Sequence, residues 1–244
     1  MMEDRLVADI RERYQRVLER IEAAARRAGR EPQSVRLVVV TKSQPLEVVR
    51  AALKAGVRIV GENYAEEALP KINSLKDEFV VEWHMIGHVQ SRKAALVAAH
   101  FDLLHSLDSL KLARRLNAFC EQAGRLLPVM LEFNVGGEAS KYGFPAWDES
   151  AWPALLPEIE AILQLPHLRL CGLMTMPPLY EHPEQSRPYF QRLRRLQAFL
   201  ARHLPQADWQ ELSMGTSVDY ETAIQEGATF VRIGTAIVGP RPSR

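Results

Sequence analysis

The chain has 244 residues, 47% of them apolar and 25% charged, with a net charge of +1. That length accommodates one α/β barrel or two smaller domains with a substantial core, and the composition is ordinary for a globular protein. The near-zero charge provides no global field for nucleic acid or anionic membrane, so any anion site must be local; no apolar run approaches the ~18–20 residues of a membrane span.

An amphipathic pattern over Leu6–Ala28 predicts a first helix, stopped by Arg30–Gln33 with its Pro32. Short β-branched or apolar runs then alternate with longer helical patterns. The predicted strands are Val35–Thr41, Val57–Gly61, Val81–Gly87, Phe101–Leu107, Pro128–Val135, Leu168–Met176, Trp209–Met214 and Phe230–Ile237. Helical periodicity falls between them, over Glu47–Ala55, Ala65–Leu75, Ser91–Ala99, Ser109–Ala123, Pro153–Leu163, Glu184–His203 and Val218–Glu226. Repeated strand–helix alternation over this length predicts a single (β/α)8 TIM barrel across residues 1–244, with an extra N-terminal helix in residues 1–30. Little chain follows the last strand, so the N-terminal helix is expected to pack where a closing helix would lie. A doubly wound open sheet is the structural alternative.

Lys42 ends the first predicted strand. Alternation places Val38, Val40 and Lys42 on one face, so if Val40 points into the barrel, Lys42 points into its mouth. A Schiff-base lysine must spend time as the neutral amine. Lowering its pKa from ~10.4 to ~7.5 takes about 4 kcal/mol, within reach of burial plus a nearby cation. On this residue alone, a lysine capping the strand and reaching solvent is the more ordinary outcome.

Two late segments change the balance. Ser213, Gly215, Thr216 and Ser217 follow the seventh predicted strand just before a helix, and Gly234 and Thr235 lie at the eighth. Hydroxyls and free N–H groups at helix starts bind anions, and barrels often bind phosphate with the loops after strands seven and eight. Arg232 shares a strand face with Phe230 and Gly234. A guanidinium in an apolar strand needs a partner: a carboxylate such as Glu132, or a ligand acceptor such as a pyridine nitrogen.

The segments Thr41-Lys42, Gly61-Glu62-Asn63-Tyr64 and Trp83-His84-Met85-Ile86-Gly87-His88-Val89-Gln90-Ser91-Arg92-Lys93 resemble the pyridoxal phosphate homeostasis protein family. So do Ser140-Lys141-Tyr142-Gly143, Gly172–Met176, Ser213–Asp219 and Arg232–Gly239, in order along nearly the whole chain. The resemblance implies a barrel of the alanine racemase N-terminal domain type that holds pyridoxal 5′-phosphate (PLP) as a Schiff base. It implies no catalytic turnover, and a role in vitamin B6 homeostasis by storing PLP or delivering it to apo PLP-dependent enzymes. Carried over by position, Lys42 forms the Schiff base and Arg232 faces the ring nitrogen. Ser217, Gly234 and Thr235 hold the phosphate with Ser213 nearby, Met176 lies against the ring, and Asn63 lines the mouth. Thr216 departs from the methionine usual in that loop, and its hydroxyl adds a candidate phosphate contact.

Two catalytic alternatives stay open. An amino-acid racemase of this barrel type needs an acid/base on each ring face, and the second is expected from an added domain that this chain ends before. An aldolase-type barrel on a phosphorylated sugar shares the cradle but leaves Arg232 without the ring nitrogen.

His84 and His88 have i, i+4 spacing, but Gly87 and the strand-plus-turn pattern favour packing or mouth-lining over zinc; no metal is expected. His100 and His105 read as isolated structural residues, and Arg192, Arg194 and Arg195 as a solvated helix face. Lys141–Tyr142 lies in a turn, at the cofactor mouth or simply exposed. No Walker-type or dinucleotide glycine motif occurs. Cys120 and Cys171 have no CxxC spacing, and the acidic Met1-Met2-Glu3-Asp4 start is not a secretory signal, so a reducing cytoplasm is expected. The expected state is a monomer or weak dimer.

Overall fold

The computed structural model describes residues 2–241. Its strands are β1 (Arg36–Val40), β2 (Ile59–Glu62), β3 (Glu82–Met85), β4 (Leu103–Leu107), β5 (Leu127–Asn134), β6 (Phe144–Pro145), β7 (Leu168–Met174), β8 (Glu211–Ser213) and β9 (Phe230–Ile233). Its helices are α1 (Met2–Arg27), α2 (Leu46–Lys54), α3 (Ala65–Leu75), α4 (Ala94–His100), α5 (Leu110–Gln122), α6 (Leu156–Leu163), α7 (Arg187–His203), α8 (Tyr220–Gln225) and α9 (Thr235–Val238).

Eight parallel strands pair in the ring β1–β2–β3–β4–β5–β7–β8–β9, and β9 returns to β1 with Leu37 opposite Val231. The β4–β5 pairing closes the sheet, which rules out the open doubly wound alternative. Strands buried on both faces tend to be continuous apolar runs rather than alternating ones, as Leu37, Val38 and Val39 of β1 are; all five residues of β4 are buried too, His105 and Ser106 among them. One large core fills the space between strands and helices, and a smaller one (Val38, Leu103, Met130, Cys171, Met174 and Phe230) fills the barrel.

Helix α1 carries acidic residues in its first turn and basic ones in its last, which suits the helix dipole. It packs against α2, α8 and α9, and Arg20 and Arg27 each bond Glu221 at 2.8 Å. At the β7–β8 pairing the chain needs glycine: a Cβ on Gly172 would lie 2.0 Å from Glu211 O.

Two elements differ from the sequence expectation. The last predicted strand stops at Ile233, and residues 235–238 form a helical turn. Thr235, Ile237 and Val238 have strand-like composition, but Gly234 (φ −113°, ψ −90°) redirects the chain, and Ile237 N and Val238 N donate back to Gly234 O at 2.8 and 3.1 Å. The two-residue β6 was not anticipated; it lies beside the end of β5, with Phe133 opposite Phe144.

Candidate functional site at the barrel mouth

A cavity of about 740 Å³ opens at the C-terminal ends of the strands. Val38 packs inside the barrel, and Val40 and Lys42 line the cavity on the same face. Among the described residues, no side-chain hydrogen bond is made by Lys42. Burial, then the Arg241 and Arg232 charges, push its pKa below the ordinary lysine value against the pull of Glu62. The neutral amine is thereby easier to reach than for a solvated lysine.

The backbone at Lys42 is held from behind. Thr41 and Glu62 point away from the barrel interior, toward α3. Lys71 Nζ donates to Glu62 Oε1 at 2.7 Å and to Thr41 O at 3.1 Å, and Thr41 Oγ1 donates to the same carboxylate oxygen at 2.7 Å. Ser43 then turns with φ +58°, the left-handed region non-glycine residues rarely adopt.

Thr216, Ser217, Gly234 and Thr235 line one end of the cavity beside Lys42 and Arg241. Gly215 (φ +92°) turns the loop, and Asp219 Oδ1 accepts from Thr216 N at 2.7 Å. A Cβ on Gly234 would come within 3.1 Å of Val40 O. Thr235 opens α9, whose first N–H groups have no intrahelical acceptor. Hydroxyls, free amides and cations thus converge as an anion cradle.

Ser213 is not part of that cradle. It is fully buried inside the barrel, beneath the cavity floor. Its Oγ accepts from Arg232 Nη1 at 2.5 Å and lies 2.7 Å from His105 Nδ1. His105 is therefore bonded rather than isolated.

Arg232 is 4% exposed and lines the cavity. Its Nη2 donates to Thr175 O at 2.9 Å and lies 2.9 Å from Met176 Sδ. Burial brings its pKa down to about 10, so it stays cationic at neutral pH. It makes no ion pair with Glu132. That carboxyl also lines the cavity, and burial, followed by Asp108, pushes it up to about 7.

The remaining wall carries Asn63, Met176, His88, Lys141 and Tyr142. The His88 and Tyr142 rings stack with centroids 3.6 Å apart, and Asp108 Oδ2 lies 2.8 Å from His88 Nδ1. Among the described residues no cluster of three or more His, Cys, Asp or Glu side chains could hold a metal. Arg195 and Arg192 are less free than a solvated face implies: Arg195 pairs with Glu149 at 2.5 Å and Arg192 donates to Val135 O at 2.6 Å.

The structure brings Lys42, Asn63, Met176, Ser217, Arg232, Gly234 and Thr235 to one cavity and leaves Ser213 below it. Sequence reasoning missed Glu132, Arg241 and Asp108 as site residues; mouth-lining was one reading of His88 and of Tyr142, and both line the cavity. Glu132 was visible as a charged residue inside an apolar strand; nothing local marked the others. An amine of lowered basicity, an anion cradle, a buried guanidinium and a thioether together fit a phosphorylated aromatic aldehyde.

Comparison with known proteins agrees. The family model for the alanine racemase N-terminal domain matches residues 13–242. The pyridoxal phosphate homeostasis protein of Aquifex aeolicus is 42% identical over 231 residues, covering 94% of this chain and 97% of that protein. Its Pseudomonas aeruginosa counterpart is 45% identical, covering 96% and 97%. PipY of Synechococcus elongatus, solved with PLP bound, superimposes with a TM-score of 0.78 at 35% identity, covering 94% of this chain and all of that one. Alanine racemase of Clostridium difficile shares the fold (TM-score 0.69) at 16% identity; this chain spans 58% of its length. With near-full-length relatives at this identity and the same barrel, the chain belongs to the pyridoxal phosphate homeostasis protein family.

Proposed function

We propose that this protein binds PLP at the barrel mouth through Lys42 and serves its intracellular homeostasis, storing the cofactor or delivering it to apo-enzymes, without catalytic turnover. One observation carries the proposal: a lysine of lowered basicity shares a cavity with the Ser217, Gly234 and Thr235 cradle. PipY, the relative solved with PLP, supports it. When bound, the cofactor supplies an aldehyde that a neutral amine captures reversibly as a Schiff base.

The residues divide the work. Lys42 offers the amine. Ser217, Gly234 and Thr235 offer donors to the phosphate, and charge-assisted bonds of this kind are the strong ones; the Thr216 N–H and hydroxyl both go to Asp219 Oδ1 instead. Arg232 offers N–H groups to the ring nitrogen. It can only donate, so it disfavours protonation of that nitrogen and leaves the ring a weaker electron sink, which suits holding over turnover. Met176 flanks the ring and Asn63 lines the entrance.

Delivery needs an accessible mouth. Tyr64, Tyr142 and Met176, all exposed, line it, and a recipient apo-enzyme would meet these side chains as the protein acts as a monomer or weak dimer. Cys120 and Cys171 are unpaired, in keeping with a reducing cytoplasm. No described helix is long and apolar enough to cross a membrane.

The test is an absorbance spectrum of PLP-treated protein before and after borohydride reduction, with peptide mapping of the labelled lysine. A visible band, a reduced adduct on Lys42 and loss of both in Lys42→Ala are expected. An adduct at another lysine, or an unchanged one in Lys42→Ala, refutes the assignment. Robust racemisation of alanine or another amino acid by the same preparation would overturn the non-catalytic part.

A further inference from the structure

Barrel interiors are ordinarily filled by branched apolar side chains, but this one contains a polar column. Ser213 on β8, His105 on β4 and His84 on β3 are each 1% exposed or less. Ser213 Oγ lies 2.5 Å from Arg232 Nη1 and 2.7 Å from His105 Nδ1. His105 Nε2 lies 3.0 Å from His84 Nδ1, and His84 Nε2 lies 3.2 Å from Glu82 Oε2. Glu82 begins β3, at the end of the barrel opposite the cavity, and its side chain is 63% exposed.

Both ends constrain the protons. Arginine has donors and no acceptor, so Arg232 gives to Ser213 Oγ. An ionised Glu82 only accepts, so His84 carries a proton on Nε2 and gives it there. With one proton on each imidazole, His84 Nδ1 accepts from His105 Nε2, and His105 Nδ1 accepts the hydroxyl proton of Ser213. Every link then runs in one direction.

The surroundings favour these states. Burial, then His84, Arg232 and Arg36, hold His105 well below the ordinary histidine pKa, so it is neutral. The bond from His84 holds Glu82 below its ordinary value, so it is ionised. Both imidazoles meet the Phe230 ring edge-on, at 5.6 and 5.2 Å, which fixes their planes. Below them Arg36 sits 3.8 Å from the same ring centroid and pairs with Glu211.

We propose that Ser213, His105, His84 and Glu82 are positioning residues for Arg232, forming a one-way hydrogen-bonded chain that links the buried guanidinium to a carboxylate at the far end of the barrel and holds it aimed into the cavity. A carboxylate directly beside Arg232 would compete with a ligand for its N–H groups. A neutral serine hydroxyl and the Thr175 carbonyl satisfy two of its nitrogens and leave the charge available to the ligand. The identity of that ligand rests on the PLP proposal; the chain itself belongs to the unliganded protein.

The first test therefore uses the protein without cofactor. Long-range ¹⁵N–¹H NMR of the imidazoles near neutral pH should show His84 and His105 both neutral and protonated on Nε2. Ser213→Ala should shift the His105 Nδ1 resonance by removing its hydrogen-bond donor, and Glu82→Gln, which keeps an acceptor, should preserve His84 where Glu82→Ala does not. An Nδ1-protonated or doubly protonated ring at either position overturns the chain, as does an unchanged His105 Nδ1 resonance in Ser213→Ala. The second test uses PLP-loaded protein. Ser213→Ala and His105→Phe should each shift the visible band and speed PLP release about tenfold, with no further effect in an Arg232→Lys background. Additive effects there would overturn the positioning role. A wild-type protein that takes up no PLP refutes the cofactor proposal, while the NMR outcome still decides the chain.

Discussion

Glu132→Gln replaces a carboxyl that the fold keeps from ionising. Burial is the main cause, Asp108 adds to it, and Arg232 and Lys141 offset it only in part. The folded state therefore binds the Glu132 proton more tightly than the unfolded chain, with a pKa raised from 4.5 to about 7. The sign follows by linkage. Below 4.5 both states are protonated and Glu132 costs nothing. Between 4.5 and about 7 the unfolded chain ionises while the folded protein does not, so stability falls as pH rises. Above that window the full penalty stands, an upper bound of about 3 kcal/mol at about 1.4 kcal/mol per pH unit. An uncharged isostere has no such penalty. The variant should match the wild type near pH 4.5 and exceed it at about pH 8 by up to about 3 kcal/mol, or roughly 6–12 °C in melting temperature for a chain of this size. Urea unfolding of cofactor-free protein across that range measures it. Parallel wild-type and variant curves would refute the account of Glu132.

Other perturbations test separate parts of the structure. Lys71→Met strands Glu62 in a buried position behind Lys42 and should cost about 3–5 kcal/mol in urea unfolding; Lys71→Met with Glu62→Gln should recover part of that. Gly172→Ala forces a Cβ into Glu211 O and should cost about 3 kcal/mol, read as a lowered unfolding midpoint. A thiol reagent should leave native Cys171 unmodified, because burial raises its pKa to about 12, and should modify it after denaturation. Ser217→Ala should weaken PLP binding about tenfold in equilibrium titration, whereas an unaffected titration would remove Ser217 from the cradle.

Much of this protein is written in local periodicity. The eight barrel strands largely follow apolar runs, most helices are amphipathic, and their alternation limits the topology to a barrel or an open sheet. Lys42 was legible as a site residue because strand alternation tied it to Val38 and Val40, and the late loops because glycine and hydroxyl residues cluster before a helix. The sequence also misled where composition and backbone conflict. Thr235, Ile237 and Val238 favour strand on average, but Gly234 bends the chain before they can extend it. Tertiary structure alone decided the rest. Closure depends on β4 meeting β5, and Ser213 lies under Arg232 rather than beside the phosphate cradle because of the register of β8 against β9. His84 and His105 become one column only when strands separated in sequence curl around the same axis. The raised pKa of Glu132 comes from burial among neighbours contributed by other strands. Periodicity records which face of an element is apolar, a property of neighbouring residues. Which polar groups then share that interior is set by strand stagger and packing, and no stretch of chain carries that information by itself.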